Sequence, residues 1–528
     1  MDAHRSSPRT SLTIDDGRRQ RQTPPVQLPV LVVGGGPAGV VAALELARRS
    51  VRVRIVDQAA RPMSGSRAKG LQPRTLELLE ALGVVDEILA AGARFPRWRN
   101  YRGGRLAWEK SIYDLLGIAE PSPDPAVPYP ETWMIPQWRT EEILRRALSA
   151  FGVQVEYGSS LTGLEMDDEG VSATIVRAAG SERVRASYLI AADGAGSAVR
   201  KLIGISFDGA TREDERFVIA DVRTADLDRV YWHNWSDPHD SSARVSLCPL
   251  PGTDTFQFVA PLPPGDDPPT LTPATLQRVF DERSEGAVVR FSDAPWITLH
   301  RTNERLAGRF GVGRVFLVGD AVHAVPAAGG QGLNTAVQDS YNLGWKLASV
   351  LTGAPEQLLD SYEEERRPIA ARLMAGLGST DEHGEKPDIF QLGNTYRGRS
   401  LSAETRRIPG PVRAGDRAPD APLQLPGATP RRLFELMRDT ELTCIAFGSR
   451  ATAACTGIAR RRRTHADVAV LDVRRDSPAT AETVETIYGV TRGDEIAFLV
   501  RPDGHIGLAT DDDFGRRLDD YLPRLSAG

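Results

Sequence analysis

The chain has 528 residues, of which 41% are hydrophobic and 26% are charged, and its formal net charge is −5. This length exceeds what one hydrophobic core can organise, so the chain predicts two or three domains. The small negative charge gives no indication of binding to nucleic acid or to an acidic membrane surface, and no apolar run is long enough to span a bilayer.

Cysteine usage and metal-ligand spacing exclude two further classes of protein. The three cysteines, Cys248, Cys444 and Cys455, are scattered and form no C-x-x-C pair. An odd, sparse set of cysteines favours a reducing, cytoplasmic location over an exported disulfide scaffold. The histidines form no cluster with cysteines or carboxylates at metal-ligand spacing, so we expect no metal site.

The first structured unit follows a polar segment, residues 1–27, which we predict to be a disordered tail. Val30–Val33 reads as a buried strand, Val40–Arg49 as a helix and Val51–Val56 as a second strand ending at Asp57. A strand, a glycine-rich turn, a helix and a second strand with an acid at its end is the order of a dinucleotide-binding βαβ unit.

The turn between that strand and helix carries the G-x-G-x-x-G pattern at Gly34, Gly36 and Gly39. The first glycine permits the tight turn, the second lets a pyrophosphate approach the backbone, and the third lets helix and strand pack closely. Asp57 can accept a hydrogen bond from a ribose hydroxyl. An acid at that position disfavours the 2′-phosphate of NADP, so the site suits the ADP half of FAD or NAD.

Residues 92–135 are rich in Pro, Trp, Tyr and Arg and read as irregular, which indicates a functional cover or part of a second domain. Short alternating strands follow and are separated by turn residues. They are Val153–Tyr157, Gly163–Met166, Gly170–Arg177 and Val184–Ala191.

Residues 205–300 change character and predict a mostly antiparallel sheet. A helix, Thr272–Glu285, interrupts it, with Thr272 as N-cap and Pro273 at the first helical position. The predicted strands are Phe217–Val222, Val230–Trp235, Ala243–Pro249 and Phe256–Pro261.

The stretch Arg314–Lys346 is the centre of the sequence. A buried strand, Val315–Val318, ends in Gly-Asp, a glycine-rich loop follows, and helical spacing begins at Leu333. A glycine-rich loop leading into a helix N-terminus presents free N–H groups and the positive end of the helix dipole. Such a place favours negative charge on a phosphate or on an electron-rich ring.

A new unit begins after a Pro/Gly-rich linker near residue 410. Strands are predicted at Thr443–Phe447, Val468–Val473 and Glu495–Val500, and a closing helix at Phe514–Leu522.

Four segments together carry a family resemblance. Arg67–Leu71 reads R-A-K-G-L, Asp193–Arg200 reads D-G-A-G-S-A-V-R, and Gly319-Asp320 precedes the glycine-rich loop and Leu333-Asn334. With the nucleotide fingerprint, these segments resemble the p-hydroxybenzoate hydroxylase family, the class A FAD-dependent aromatic monooxygenases. Leu499–His505 is similar to the C-terminal domain of the phenol hydroxylase and aromatic polyketide hydroxylase branch.

The resemblance implies an α/β fold, α+β overall, in three parts. Residues 28–204 and 301–400 would form a discontinuous Rossmann-like FAD-binding domain, with residues 92–135 partly covering the active site. Residues 205–300 would form an antiparallel sheet over the substrate, and residues 410–528 a thioredoxin-like domain that lacks C-x-x-C.

The resemblance also assigns cofactor contacts. No catalytic acid or base can be named, and Arg67 and Pro326 are the residues expected nearest the reacting side of the flavin. The implied cofactor-binding residues are Gly34, Gly36, Pro37, Ala38, Gly39, Asp57, Gln58, Arg67, Gln137, Asp193, Gly319, Asp320, Pro326, Gly332, Leu333 and Asn334.

The implied activity is hydroxylation of a phenolic substrate, of the polycyclic polyketide type met in antibiotic biosynthesis, by a flavin C4a-hydroperoxide. FAD would be reduced by NADPH or NADH and reoxidised by O2, and because no second G-x-G-x-x-G exists, the nicotinamide would visit transiently. We expect a monomer or homodimer. Two alternatives stay open, a Baeyer–Villiger monooxygenase on the same fold and a non-catalytic flavin-binding protein, while the W-x-W-x-I-P segment of flavin halogenases is missing.

Overall fold

The computed structural model describes residues 28–237, 240–262, 270–325, 330–375, 388–424, 429–438, 442–462 and 468–526. The predicted tail, residues 1–27, and Pro326 lie outside the described residues. No helix within the described ranges is long and apolar enough to cross a membrane. The same ranges contain no group of three His, Cys, Asp or Glu side chains that could hold a metal ion.

The N-terminal part is a mostly parallel six-stranded sheet with helices on its faces. In spatial order the strands are Gly311–Val312, Val315–Leu317, Tyr188–Ala191, Val30–Val33, Val53–Val56 and Val155–Glu156, and the first two pair antiparallel while all other neighbours pair in parallel. The elements up to residue 204 are β1 Val30–Val33, α1 Pro37–Ala47, β2 Val53–Val56, β3 Gly70–Leu71, α2 Pro73–Ala81, α3 Val85–Ala91, β4 Ala93–Arg94, β5 Arg97–Arg102, β6 Arg105–Lys110, α4 Ile112–Leu116, β7 Trp133–Met134, α5 Gln137–Ser149, β8 Val155–Glu156, β9 Ser160–Asp167, β10 Gly170–Arg177, β11 Gly180–Ala186, β12 Tyr188–Ala191 and α6 Ala198–Leu202.

The middle of the chain alternates between this sheet and a larger one. Its elements are β13 Phe207–Arg223, β14 Tyr231–Asp237, β15 Asp240–Pro249, β16 Thr255–Leu262, α7 Pro273–Arg283, β17 Asp293–Ala307, β18 Gly311–Val312, β19 Val315–Leu317, β20 His323–Ala324, α8 Gln331–Leu351 and α9 Asp360–Met374. The prediction of one strand over Val184–Ala191 is wrong, because the chain leaves one sheet at Ser187 and enters another. β11 belongs to a three-stranded antiparallel sheet and β12 to the parallel one.

The larger sheet, called the roof sheet below, has the strand order β20-β17-β13-β16-β15-β14-β5-β6. Because side chains alternate across a strand, its two faces differ in character. One face buries Val245, Leu247, Phe256 and Phe258 in a core with Phe280 of α7. The predicted N-cap of α7 is confirmed, since the Thr272 side chain accepts a hydrogen bond from the Thr275 N–H.

The prediction that residues 92–135 are irregular is wrong for four strands and a short helix, of which β5 and β6 are the longer strands. β5 pairs in parallel with β14, with Arg97 opposite Tyr231, and β6 pairs with β5, so both extend the roof sheet. The strands are rich in arginine and tryptophan and show no alternation that indicates a strand. They form because β14, more than 100 residues later, supplies the pairing edge.

The C-terminal part is a mixed five-stranded sheet with helices around it. In spatial order its strands are Ala403–Glu404, Ile506–Thr510, Ile496–Val500, Leu442–Phe447 and Val468–Asp472. The three predicted strands and the closing helix are present, and Ile506–Thr510 and Ala403–Glu404 add to them. Its elements are β21 Ala403–Glu404, β22 Pro422–Leu423, β23 Arg431–Arg432, α10 Leu433–Met437, β24 Leu442–Phe447, α11 Ser449–Arg462, β25 Val468–Asp472, α12 Val473–Asp476, α13 Ala481–Tyr488, β26 Ile496–Val500, β27 Ile506–Thr510 and α14 Phe514–Tyr521.

Candidate active site

The three fingerprint glycines have different surroundings in the structure. Gly34 has a φ of +111°, and a Cβ there would overlap the carbonyl of Ala192, the residue that follows β12. A Cβ at Gly39 would overlap the Gly34 carbonyl oxygen, so these two positions are set by packing. A Cβ at Gly36 would meet no heavy atom within 4 Å. The open space beside Gly36 lies at the N-terminus of α1, where a pyrophosphate is favoured.

The Gly-Asp segment reaches the same place from the other side. Gly319 has a φ of +59°, and its would-be Cβ lies 3.0 Å from the Ala336 Cβ and 3.1 Å from the Ala38 Cβ. The N-terminal turns of α1 and α8 therefore converge on Gly319. Asp320, which follows it, is the exposed residue of a 3-10 turn in which Gly319 and Ala321 are buried. Neither helix has a side-chain cap, so both present first-turn N–H groups to a ligand.

Two carboxylates flank this convergence. Asp57 accepts hydrogen bonds from the Gly35 N–H at 2.6 Å and from the Ala59 N–H at 2.7 Å. Gln58, between Asp57 and Ala59 in the sequence, is exposed. Asp193 accepts one from the Val199 N–H through Oδ2, while its buried Oδ1 has no hydrogen-bond partner. A buried, unpartnered carboxylate oxygen is costly unless a ligand supplies the missing donor.

Arg200 does not pair with Asp193. It donates to the Ala321 carbonyl at 2.8 Å and to the Ala195 carbonyl at 2.7 Å. One guanidinium thus links the Asp-Gly and Gly-Asp segments.

The segment Arg67–Gln72 is held at both ends by side-chain amides. Gln137, at the start of α5, accepts a hydrogen bond from the Ala68 N–H at 3.0 Å. Asn334, in the first turns of α8, accepts from the Gln72 N–H at 2.8 Å and donates to the Gly70 carbonyl at 2.9 Å. The side chains of Gln137 and Asn334 therefore position this segment. Arg67 is exposed, and its carbonyl accepts a hydrogen bond from the Gln257 amide nitrogen at 3.4 Å.

A buried charge cluster fixes the start of α8 from behind. His323 Nε2 lies 2.6 Å from Asp339 Oδ2, and Arg366 Nε donates to Asp339 Oδ1 at 2.8 Å. Burial by itself would raise the pKa of Asp339, but His323 and Arg366 lower it below its usual value. His323 is thus a member of a structural cluster behind the glycine-rich loop.

A cavity of about 500 Å³ lies between the Arg67–Gln72 segment, Gly330 at the start of α8 and the roof sheet. Its volume is that of a typical small-molecule site. Aromatic and apolar side chains make up much of the wall, with polar groups among them. The aromatic members are Phe95, Trp98, Tyr113, Phe217 and Trp232.

Apart from Arg67, the polar members of the wall were missed by sequence reasoning. Lys69 enters from the Arg67–Gln72 segment, and Arg244, Ser246 and Gln257 from the roof sheet. The alternation of residue types along β15 was the signal that could have found them. Val245 and Leu247 form one, apolar face of the strand, and Arg244, Ser246 and Cys248 form the opposite, more polar face. Which face meets a cavity depends on strand pairing that the sequence does not display.

Comparison with known families agrees with this geometry. Residues 27–376 match the family described as "FAD binding domain", and residues 412–526 match "Aromatic-ring hydroxylase, C-terminal". A flavin-dependent monooxygenase of Mycobacteroides abscessus is 42% identical over 506 residues, which are 94% of this chain and 100% of that protein. The 12-dehydrotetracycline 5-monooxygenase/anhydrotetracycline 6-monooxygenase of Streptomyces rimosus subsp. rimosus is 32% identical, over 90% of this chain and 94% of that protein.

Two solved structures cover nearly the whole chain. The flavin-dependent monooxygenase PieE, in complex with FAD and substrate, has a TM-score of 0.79 at 26% identity and covers 95% of this chain and 99% of its own. Aklavinone-11 hydroxylase, with FAD and aklavinone, has a TM-score of 0.79 at 27% identity and covers 94% of this chain and 98% of its own.

Proposed function

The chain belongs to the FAD-dependent aromatic-ring monooxygenases, and from this premise we propose that it uses NADH or NADPH and dioxygen to hydroxylate a polycyclic phenolic substrate. The observation that carries the proposal is the cavity of about 500 Å³ between the cofactor-side segment and the roof sheet. Its aromatic walls suit a flat, fused-ring guest. The names of relatives that act on anhydrotetracycline and of a neighbour that binds aklavinone support the same class.

The described residues fit FAD on two observations. The space beside Gly36 is open where its neighbours Gly34 and Gly39 are tightly packed, and the buried Asp193 Oδ1 lacks a partner that a ribityl hydroxyl would supply. Asp57 would hold the ribose, and Gly332 and Leu333, in the first turn of α8, would direct N–H groups at the ring. When bound and reduced, FAD supplies the activation of dioxygen and the transfer of one oxygen atom.

The protein residues contribute charge stabilisation and exclusion of water. The uncapped N-terminus of α8 stabilises negative charge on the ring side through its free N–H groups and dipole. The roof sheet, extended by β5 and β6, forms one wall of the cavity, and we expect it to limit the access of water to a bound substrate. Exclusion of water favours oxygen transfer over release of peroxide. The nicotinamide has no fingerprint of its own in this sequence, so we expect it to bind transiently.

The test is NADPH and NADH oxidation by the purified yellow protein, with and without a panel of phenols and hydroxylated polycyclic quinones. Peroxide release and product mass are measured together. The proposal expects substrate-stimulated oxidation, one added oxygen atom on the ring and little peroxide. A lactone product would instead indicate Baeyer–Villiger chemistry, and protein that takes up no FAD would contradict the proposal.

A pair of glycine variants tests the cofactor site alone. G36A places a methyl group in the open space and is expected to lower FAD occupancy while leaving the fold intact. G515A is the matched control, since a Cβ at Gly515 in α14 also meets nothing within 4 Å but lies in the C-terminal part. Equal FAD affinity in both variants would count against pyrophosphate binding beside Gly36.

A further inference from the structure

Lys69 occupies the third position of the R-A-K-G-L segment and lines the cavity. The segment is fixed in place, because the Ile135 N–H donates to the Lys69 carbonyl at 2.8 Å and Gln137 holds Ala68 on both sides. The Lys69 side chain is half-buried and extends to the roof sheet. A flexible side chain is thereby presented from a rigid backbone, as a site residue requires.

The direct contacts of the Lys69 ammonium group are with uncharged side chains. It donates a hydrogen bond to the Gln257 Oε1 and lies 4.2 Å from the centre of the Trp232 ring. No carboxylate of the described residues lies within ion-pair distance of it. An ammonium has three donors, so a desolvated lysine with one amide partner can accommodate an anion.

Gln257 explains why Lys69 points as it does. Its amide nitrogen donates to the Ser66 carbonyl while its amide oxygen accepts from Lys69. Through Gln257, the roof strand β16 therefore both holds the Arg67–Gln72 segment in place and orients the Lys69 side chain at the cavity wall.

Two acids lie near Lys69 on the roof sheet. Asp221 and Cys248 both lie opposite Gln257 on neighbouring strands. Burial raises the pKa of Asp221 to about 7, against the lowering effect of Lys69. Burial lowers the pKa of Lys69, and Cys248 and Asp221 oppose that change only in part. The lysine is thus easier to deprotonate than a solvated one.

The remaining charges of the cavity also favour an anionic guest. Arg67 and Arg244 line it as well, and the single carboxylate in the described lining is the exposed Glu215. Burial lowers the pKa of Arg244, with no carboxylate to oppose the change. The other titratable groups in the lining are Tyr113 and His300.

We propose that Lys69 binds the ring hydroxyl or enol of the substrate, takes its proton and holds the resulting oxyanion beside Trp232. Lys69 enters this step as the neutral amine: the substrate O–H bond breaks, an N–H bond forms on Nζ to give the ammonium, and the electron pair of the O–H bond stays on the substrate oxygen. The anion is more electron-rich and so a better acceptor of an electrophilic oxygen atom. After oxygen transfer, the ammonium returns the proton to the product. The inference rests on the proposed function, because it concerns the substrate of that same cavity.

The test follows the ionisation of a bound dye in the FAD-loaded protein. Alizarin, emodin and 4-nitrophenol change their visible spectra when their hydroxyl groups ionise. Each is titrated from about pH 5 to about pH 9, free and bound, and the apparent pKa of the bound dye is read. In the unaltered protein we expect that pKa to lie below the value of the free dye by about one unit or more, a tenfold shift in proton affinity.

Four variants separate the explanations. K69M should abolish the shift, whereas K69R, which keeps the charge, should preserve part of it. K110M is the matched control, since Lys110 is an exposed lysine on the edge of the same sheet, and it should leave the shift unchanged. D221N should also retain it. FAD content and melting temperature show that each variant is folded, and K69R serves if K69M does not fold.

An unchanged pKa of the bound dye in K69M would overturn the inference, and a shift lost in D221N but kept in K69M would move the role to Asp221. Failure of all three dyes to bind would overturn it too. Failure of the proposed function looks different: the dyes would bind and ionise through Lys69, yet no product would gain an oxygen atom.

Discussion

Two lysines, the fully buried Lys346 and the half-buried Lys69, show how this protein treats charge at the interface with the C-terminal part and in the cavity. Lys346 is fully buried where α8 meets the C-terminal part, and it donates to Glu365 at 2.7 Å. Glu365 also accepts from Arg501 at 2.6 Å and from Asn342 at 2.8 Å. Lys69, in the cavity wall, has an amide and an aromatic ring as partners.

The different partners of the two lysines indicate which one has a structural role and which one can act on a ligand. At the interface, burial by itself would raise the pKa of Glu365, but Arg501 and Lys346 hold it at about 2, so every charge is balanced within the protein. In the cavity, no carboxylate of the described residues lies within ion-pair distance of Lys69 or Arg244. A protein tolerates a buried charge without an internal partner when a ligand of opposite charge neutralises it.

The largest effect is expected from breaking the balanced cluster. E365A leaves Lys346 and Arg501 buried without their shared carboxylate and should lower the free energy of unfolding by about 3–5 kcal/mol. Urea or thermal unfolding measures it. E482A, at an exposed position of α13, is the control and should change little. A loss below about 1 kcal/mol in E365A would remove the distinction between the two regions.

The second prediction concerns pH and Asp221. Its folded pKa of about 7 lies above the ordinary 3.8, so the folded state holds a proton that the unfolded chain has released. Its contribution to stability is therefore complete below about pH 4 and is lost as the pH rises through about 7. D221N should remove that loss. As the pH rises over this range, the free energy of unfolding of D221N minus that of the unaltered protein should therefore increase by roughly 2–4 kcal/mol. A constant difference across the range would contradict the raised pKa.

The third prediction tests Arg244. R244Q should weaken binding of an acidic hydroxyquinone roughly tenfold, about 1.4 kcal/mol, and leave a neutral aromatic of the same size unaffected. Fluorescence or absorbance titration measures both affinities. R309Q, at an exposed arginine, is the control. Equal loss for charged and neutral ligands would mean that Arg244 acts through packing.

The smallest effect is expected at Lys69 itself. K69M should change the free energy of unfolding by less than about 1 kcal/mol, because the lost hydrogen bond and ring contact are offset by relief of a desolvated charge. K346M, the same substitution in the balanced cluster, should cost about 2–4 kcal/mol. Similar costs at both positions would show that Lys69 is a structural lysine.

The cofactor side of the site could be predicted from the sequence because its chemistry is in backbone turns. Gly34, Gly36 and Gly39 are close in sequence, and their spacing already states where the chain turns and where a phosphate can approach. The Gly-Asp segment and the start of α8 are local in the same sense. Pro326 was predicted from the same motif and lies outside the described residues, so its role stays a prediction.

The substrate side could not be predicted in this way. Gln257 meets Ser66 and Lys69 across about 190 positions of sequence, and β5 finds its partner β14 only in the folded sheet. A lysine in the R-A-K-G-L segment reads as an ordinary polar residue of a loop. The role proposed for Lys69 depends on its neighbours Trp232, Asp221 and Gln257, each of which lies on a different strand.

The sequence by itself determined the βαβ unit and the glycine positions, because local steric rules and periodicity act over a few residues, and its motifs indicated the family by resemblance. Only the tertiary structure decided which face of each roof strand meets the cavity, that residues 97–110 extend the roof, and that Lys346 is neutralised where Lys69 is not. The physical reason is that desolvation and charge pairing depend on what surrounds a side chain in space, and those neighbours come from strands far apart in the chain.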